Sequence, residues 1–303
     1  MGIEFDDSRV DVSNVDDRRG GGGRGGIAIG GGAGVVGLIV FLLFQLLGGG
    51  GGSTSGLELP PGVSVDGTRQ ESAQALQQRC NSEGALDKYT DCRLIKVFDV
   101  ADATWSDEFA RRGIPYASPR LAFFSQATRT GCGQATAEVG PFYCPPDQEI
   151  FIELGFLDQL QQQFGAQGEF AQAYIVAHEF GHHLQTLLGT ERQMRAAQER
   201  NPDLANQLSV ALELQADCYA GVWSTLADKR GEGGIALTQD NIAEAVNAAG
   251  AVGDDRIQQK MQGRVDPESF THGTAQQRQD WFLTGYRSGS IDACNTFRSA
   301  GLG

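Results

Sequence analysis

Three of the four histidines in this chain fall within one short run, at 178, 182 and 183. His178-Glu179-x-x-His182 lies between the apolar, helix-compatible stretch Ala171–Ala177 and Leu184, Leu187 and Leu188. On an α-helix, residues four apart stand one turn above each other, so His178 and His182 can present their imidazoles to one point. Two neutral imidazoles make half of a tetrahedral Zn²⁺ site, and Glu179 beside them is placed to take a proton from a metal-activated water. The apolar flanks put this helix largely in the interior. Burying these three side chains without partners would cost several kcal/mol, and a divalent cation removes that objection. His183 points about 100° away from His182 and is expected off the metal face.

A third protein ligand is required. Leu188 stands where one further histidine pattern would place its ligand, so a glutamate from a second helix is expected. Leu204–Ala227 is rich in helix formers, and within it Glu213 and Asp217 are four apart and share a face. Glu213 completes a His-His-Glu set with the fourth position left for water. Asp217 can accept the second N–H of a ligand imidazole, provisionally that of His178, and so fix its tautomer. Glu191 and Glu199 are rival ligands, but the polar segment around them reads as solvated.

The runs His178-Glu-Phe-Gly-His-His183 and Glu213-Leu-Gln-Ala-Asp-Cys-Tyr-Ala-Gly221, followed by Phe270-Thr-His-Gly273 and Arg278, resemble the neutral zinc metallopeptidases of the YpfJ-like group. The resemblance runs from about Arg69 to the end and is strongest at the first two motifs. It implies a zincin-like catalytic domain with a membrane anchor, and a peptide or protein substrate. His272 is the candidate donor to the oxyanion of peptide hydrolysis, supported by its likeness to a His-Gly or His-Pro element of related gluzincins. The competing reading makes it a loop residue ahead of a helix capped by Thr274.

The elements that must position these groups follow from composition and pattern. The net charge of −14 argues against nucleic-acid binding. Residues 1–26 are polar and Gly/Arg-rich and are expected to be disordered. Residues 27–47 carry no charge and are expected to form a single transmembrane helix, with the N-terminus cytoplasmic by the arginines at 18, 19 and 24. Residues 48–69 read as a Gly/Ser/Pro linker and 70–303 as the zinc peptidase domain. The expected fold is therefore α+β, zincin-like and mostly helical with a small β-sheet.

Within that domain, Ser72–Cys80 and Leu94–Arg112 read as helices, and 120–124 and Glu149–Leu154 as strands. The second of these strands is a candidate edge for pairing with extended substrate. Residues 238–262 form a helix pair or one kinked helix beginning at Thr238. Six cysteines in an exported domain point to disulfides. They allow 15 pairings, of which the local set Cys80–Cys92, Cys132–Cys144 and Cys218–Cys294 is preferred. The function expected is metal-assisted peptide hydrolysis, and the alternative is a tethered scaffold protein whose zinc is closed by a fourth ligand, His183 or His272.

Overall fold

The computed structural model describes residues 2–5, 9–19, 70–231 and 233–302. Two short strands, β1 (Glu4–Phe5) and β2 (Val15–Asp17), come first. They are followed by helices α1 (Ala73–Cys80), α2 (Ala85–Lys88) and α3 (Thr90–Arg112). Strands β3 (Arg120–Phe124), β4 (Ala127–Thr130), β5 (Gly133–Thr136), β6 (Phe142–Cys144) and β7 (Glu149–Glu153) form the middle of the chain. Then come α4 (Leu154–Phe164), α5 (Glu169–Leu187), α6 (Thr190–Arg200), α7 (Ala205–Lys229), β8 (Ile235–Ala236), α8 (Gln239–Ala251), α9 (Asp254–Gln262), α10 (Ala275–Ser288) and α11 (Thr296–Ser299).

Local chemistry sets several boundaries. Ser72 caps α1, and Thr238 and Thr274 open α8 and α10 with reciprocal capping boxes to Asn241 and Gln277. Gly113 ends α3 at φ 66°, a left-handed conformation that costs glycine little.

The main sheet has the order β2-β3-β7-β6, with β2, β3 and β7 parallel and β6 antiparallel to β7. Alternation along β3 and β7 divides the interior. Leu121, Phe123, Ile150 and Ile152 join the principal core beneath the helices, while Ala122, Phe124 and Phe151 pack with Phe142 on the other face. β7 lies inside the sheet, whose edges are β2 and β6; the edge strand that adjoins Glu179 is therefore Phe142–Cys144 and not the expected 149–154.

Helix α7 is clamped between α5 and α10 at backbone distance. A Cβ on Gly181 of α5 would sit 2.8 Å from the Ala216 Cα of α7. One on Gly221 of α7 would collide with the Phe282 carbonyl, and one on Gly285 of α10 with the Cys218 carbonyl. All three preferred disulfides form, and Cys218–Cys294 ties the C-terminal segment to α7.

Two expectations are corrected. The N-terminal residues are not a free arm: β2 pairs in register with β3, Val15 against Leu121, and Val10 and Val12 are buried. Arg19 is 1% exposed, held by Asp17 at 2.7 Å and by Asp91 of α3 at 2.8 Å. A buried guanidinium satisfied by two carboxylates anchors this segment on the domain. The single transmembrane helix is also overturned. A lone crossing between residues 19 and 70 would put β2 and β3 on opposite sides of a bilayer, which their pairing forbids. Among the described residues no helix is long and apolar enough to cross a membrane, and 27–47, where the span was expected, lies outside them. The fold is a mostly helical domain with three small sheets among the described residues.

Candidate metal centre

His178 and His182 project from one face of α5 toward Glu213 on α7, as the 3.6-residue period requires. His178 Nε2 lies 3.2 Å from Glu213 Oε2, and His182 Nε2 lies 3.5 Å from Glu213 Oε1. The donor atoms of the three residues all fall within 4.8 Å of one another, so they are positioned to bind one metal ion. They are the only such group among the described residues. The backbone contact at Gly181, which lies between the two histidines, is what lets α7 come close enough for one carboxylate to reach both rings.

Each imidazole is oriented from behind. His178 Nδ1 meets Asp217 Oδ1 at 2.9 Å, and His182 Nδ1 meets Gln185 Oε1 at 2.9 Å. With Nδ1 donating, both Nε2 lone pairs are free for a metal. The Gln185 amide cannot turn over. Its Nε2 donates to the Leu212 carbonyl at 2.7 Å and to Gln215 Oε1, and Gln215 in turn donates to the Cys294 carbonyl. Asp217 is fully buried and also accepts from the Tyr174 hydroxyl and from Arg278, whose Nε lies 2.8 Å from Oδ2. Arg278 is itself 1% exposed and supplies the positive charge that makes an ionised Asp217 tolerable there.

The electrostatics fit a cation. Burial would raise the Glu213 carboxyl, but the positive field of His182, the hydrogen bond from His178 and the charge of His272 outweigh it and hold it well below the carboxylate range. Burial opposes protonation of His178, yet Asp217 and Glu213 push its pKa up to about 10. In the metal-free protein a proton thus occupies the position a divalent cation would take, and binding the metal must release it.

Glu179 is buried beside the cluster, and burial raises its pKa. It accepts from the Tyr143 backbone N–H of the edge strand β6. Its Oε2 has no hydrogen-bond partner. An unsatisfied buried carboxylate oxygen calls for an explanation, and a water or ion at a metal site is one. A pocket of about 30 Å³ lined by His178, Glu179, Tyr174 and Phe156 leaves room for one or two waters at that side.

His272 is buried, close enough to Glu213 for its charge to act on that carboxylate. Its Nδ1 lies 3.1 Å from Asp254 Oδ1, and Asp254 Oδ2 takes the backbone N–H groups of Thr271, His272 and Gly273 at 2.7–3.1 Å. This directs the far edge of the ring away from Asp254. His183 is excluded from the cluster and buried: Nε2 meets the Ala117 carbonyl at 2.7 Å and Nδ1 meets the Tyr143 hydroxyl at 3.0 Å. Burial lowers its pKa to about 4, so it is a neutral strut. With both nitrogens occupied it cannot close a four-ligand site. Glu191 pairs with Arg195 on α6, away from the metal donors.

Sequence reasoning missed Gln185, Asp254 and Tyr174. Gln185 had a local signal, since it is three residues beyond His182 on the same helical face. Tyr174, four residues before His178, lies on that face too, whereas Asp254 had no such signal because its partner His272 comes from another element.

A family model described as "Putative neutral zinc metallopeptidase" matches residues 6–297. The uncharacterized protein YpfJ of Escherichia coli K12 is 44% identical over 241 residues, 78% of this chain and 81% of that protein. The uncharacterized protein Rv2575 of Mycobacterium tuberculosis H37Rv is 42% identical over 232 residues, 74% of this chain and 76% of that one. No solved structure matches the chain. The match over nearly the whole length, together with three ligands converging on one point, makes this chain a member of the neutral zinc metallopeptidase family.

Proposed function

We propose that this protein hydrolyses peptide bonds, with Zn²⁺ held by His178, His182 and Glu213 and with Glu179 as general base. The observation that carries this reading is the partnerless Oε2 of buried Glu179 beside three converging ligands. Zinc, when bound, lowers the pKa of a coordinated water and polarises a carbonyl. Glu179 Oε2 takes the proton of the attacking water, and its raised pKa suits it to pass that proton on to the leaving amine. His272, oriented by Asp254, donates to the oxyanion that develops on the carbonyl oxygen. Asp217 and Gln185 hold the ligand rings in plane. The disulfides, with no free cysteine among the described residues, support action in an oxidising compartment outside the cytoplasm.

The test is Glu179→Gln in the full chain. The variant should keep one zinc per chain, while turnover of a peptide library falls by about 10²–10⁴-fold. Full turnover in that variant rules the scheme out.

A further inference from the structure

We propose that substrate is recognised in the groove on the far side of Glu213, and that this groove takes an extended peptide with apolar side chains next to a lysine or arginine. The inference rests on the peptidase reading and adds a substrate class to it.

The pocket at Glu179, about 30 Å³, has room for one or two waters and is much the smaller of the two hollows near the metal ligands. A groove of about 830 Å³ runs between the first half of α7, the 267–274 turn, the start of α10 and α11. That volume is in the range of sites that bury several side chains. Its floor is apolar, formed by Val210, Leu214, Phe270 and Trp281. The groove shares two elements with the metal site, α7, which carries Glu213, and the 267–274 turn, which carries His272. Val210 and Leu214 stand on α7 around Glu213, and Gly273 follows His272 directly. A Cβ at Gly273 would lie 3.2 Å from Val210 Cγ1 and 3.3 Å from Leu214 Cδ2, so the turn bearing His272 is pressed onto this floor. On this proposal a peptide whose carbonyl sits between Glu179 and His272 extends past the Gly273 turn into the groove.

The rim decides the charge. Asp203 and Glu268 are both exposed, neither has an ion-pair partner among the described residues, and no lysine or arginine lines the groove. The Glu268 turn is fixed by Asn206, whose side chain donates to the Glu268 carbonyl at 2.8 Å. Two unpaired carboxylates over an apolar floor favour a cationic side chain flanked by aliphatic or aromatic ones, and disfavour an acidic peptide.

The structure supplies its own reporter. Trp105 and Trp223 are fully buried, and only Trp281 of the three tryptophans is in the groove. The experiment uses the zinc-loaded full-length Glu179→Gln protein. Its ligands are labelled hexapeptides of Leu, Val and Phe carrying one Lys, or one Glu in the same place. Binding is followed by anisotropy and by tryptophan emission. The Lys peptide should bind about 10-fold more tightly than the Glu peptide and change Trp281 emission. Asp203→Lys with Glu268→Lys should reverse that order at unchanged zinc content, and Trp281→Phe should abolish the emission change. An unaltered preference in the charge-reversed variant, or tight binding with silent Trp281, overturns the proposal. If wild-type protein hydrolyses nothing yet the charge preference and its reversal hold, the groove stands and the peptidase reading falls. If hydrolysis proceeds with no dependence on these residues, the groove assignment alone is lost.

Discussion

Replacing Asp217 with Asn separates two jobs done by one carboxylate. Asp217 receives the His178 Nδ1–H, the Tyr174 hydroxyl and two N–H groups of Arg278, and no part of it reaches solvent. The amide keeps the shape but loses the charge and offers one acceptor oxygen instead of two. Arg278, 1% exposed, is then a buried guanidinium with no counter-charge. Breaking one side of such a pair costs about 3–5 kcal/mol. For a domain of this size that corresponds to a fall in melting temperature of roughly 6–20 °C. Separately, His178 loses the anionic acceptor behind its ring, which should weaken zinc binding by about 10–100-fold, or about 1.4–2.7 kcal/mol. Thermal unfolding in the presence of a chelator measures the first effect, and zinc competition against a chromophoric chelator measures the second. Adding Arg278→Leu removes the stranded charge, so stability of the metal-free protein should recover while zinc affinity stays low. Zinc affinity within about twofold of wild type in the single variant would refute the assignment of Asp217 to His178.

Gly181→Ala should push α5 from α7 at Ala216 and pull Glu213 away from the imidazoles, lowering both zinc content and melting temperature; retention of stoichiometric zinc would show the close approach to be dispensable. Opening Cys218–Cys294, which closes a 76-residue separation, should destabilise more than opening Cys80–Cys92, which closes 12: about 4.5 against about 3 kcal/mol in denaturant titrations, by loop entropy. Burial pushes the Asp99 carboxyl from its ordinary 3.8 up to about 7, against the opposing hydrogen bond from the Asp11 N–H and the charge of Lys96. Between those pH values the folded protein holds a proton that the unfolded chain has released, so stability falls as pH rises through that window. Asp99→Asn should abolish the fall and stabilise the protein at pH 8 by about 1–2 kcal/mol. The full pKa difference would be worth about 4, reduced here by solvent screening of a half-buried group. Parallel pH–stability curves for the two proteins would contradict it.

The metal-binding face was legible in the sequence because its rule is local. Four residues make about one helical turn wherever the helix sits, so His178 aligns with His182 and Glu213 with Asp217 before any packing is known. The same holds for the caps at Thr238 and Thr274, where a side chain meets a backbone group three residues on. Gln185 obeyed that rule too and could have been found by it. What only the tertiary structure decided are the pairings between distant elements. Asp254 reaches His272 because the chain turns back on α9, and Arg278 reaches Asp217 because Gly221 and Gly285 let two helices touch. β7 is interior and β6 an edge only once strand order exists. The N-terminal residues read as disordered since Val10, Val12 and Val15 are too few to bury a surface of their own. They are ordered because β3 supplies a free edge and Asp91, 72 residues further along the chain, supplies the buried countercharge for Arg19. Local periodicity is a property of the backbone and can be read from spacing, whereas these contacts depend on which surfaces burial brings face to face.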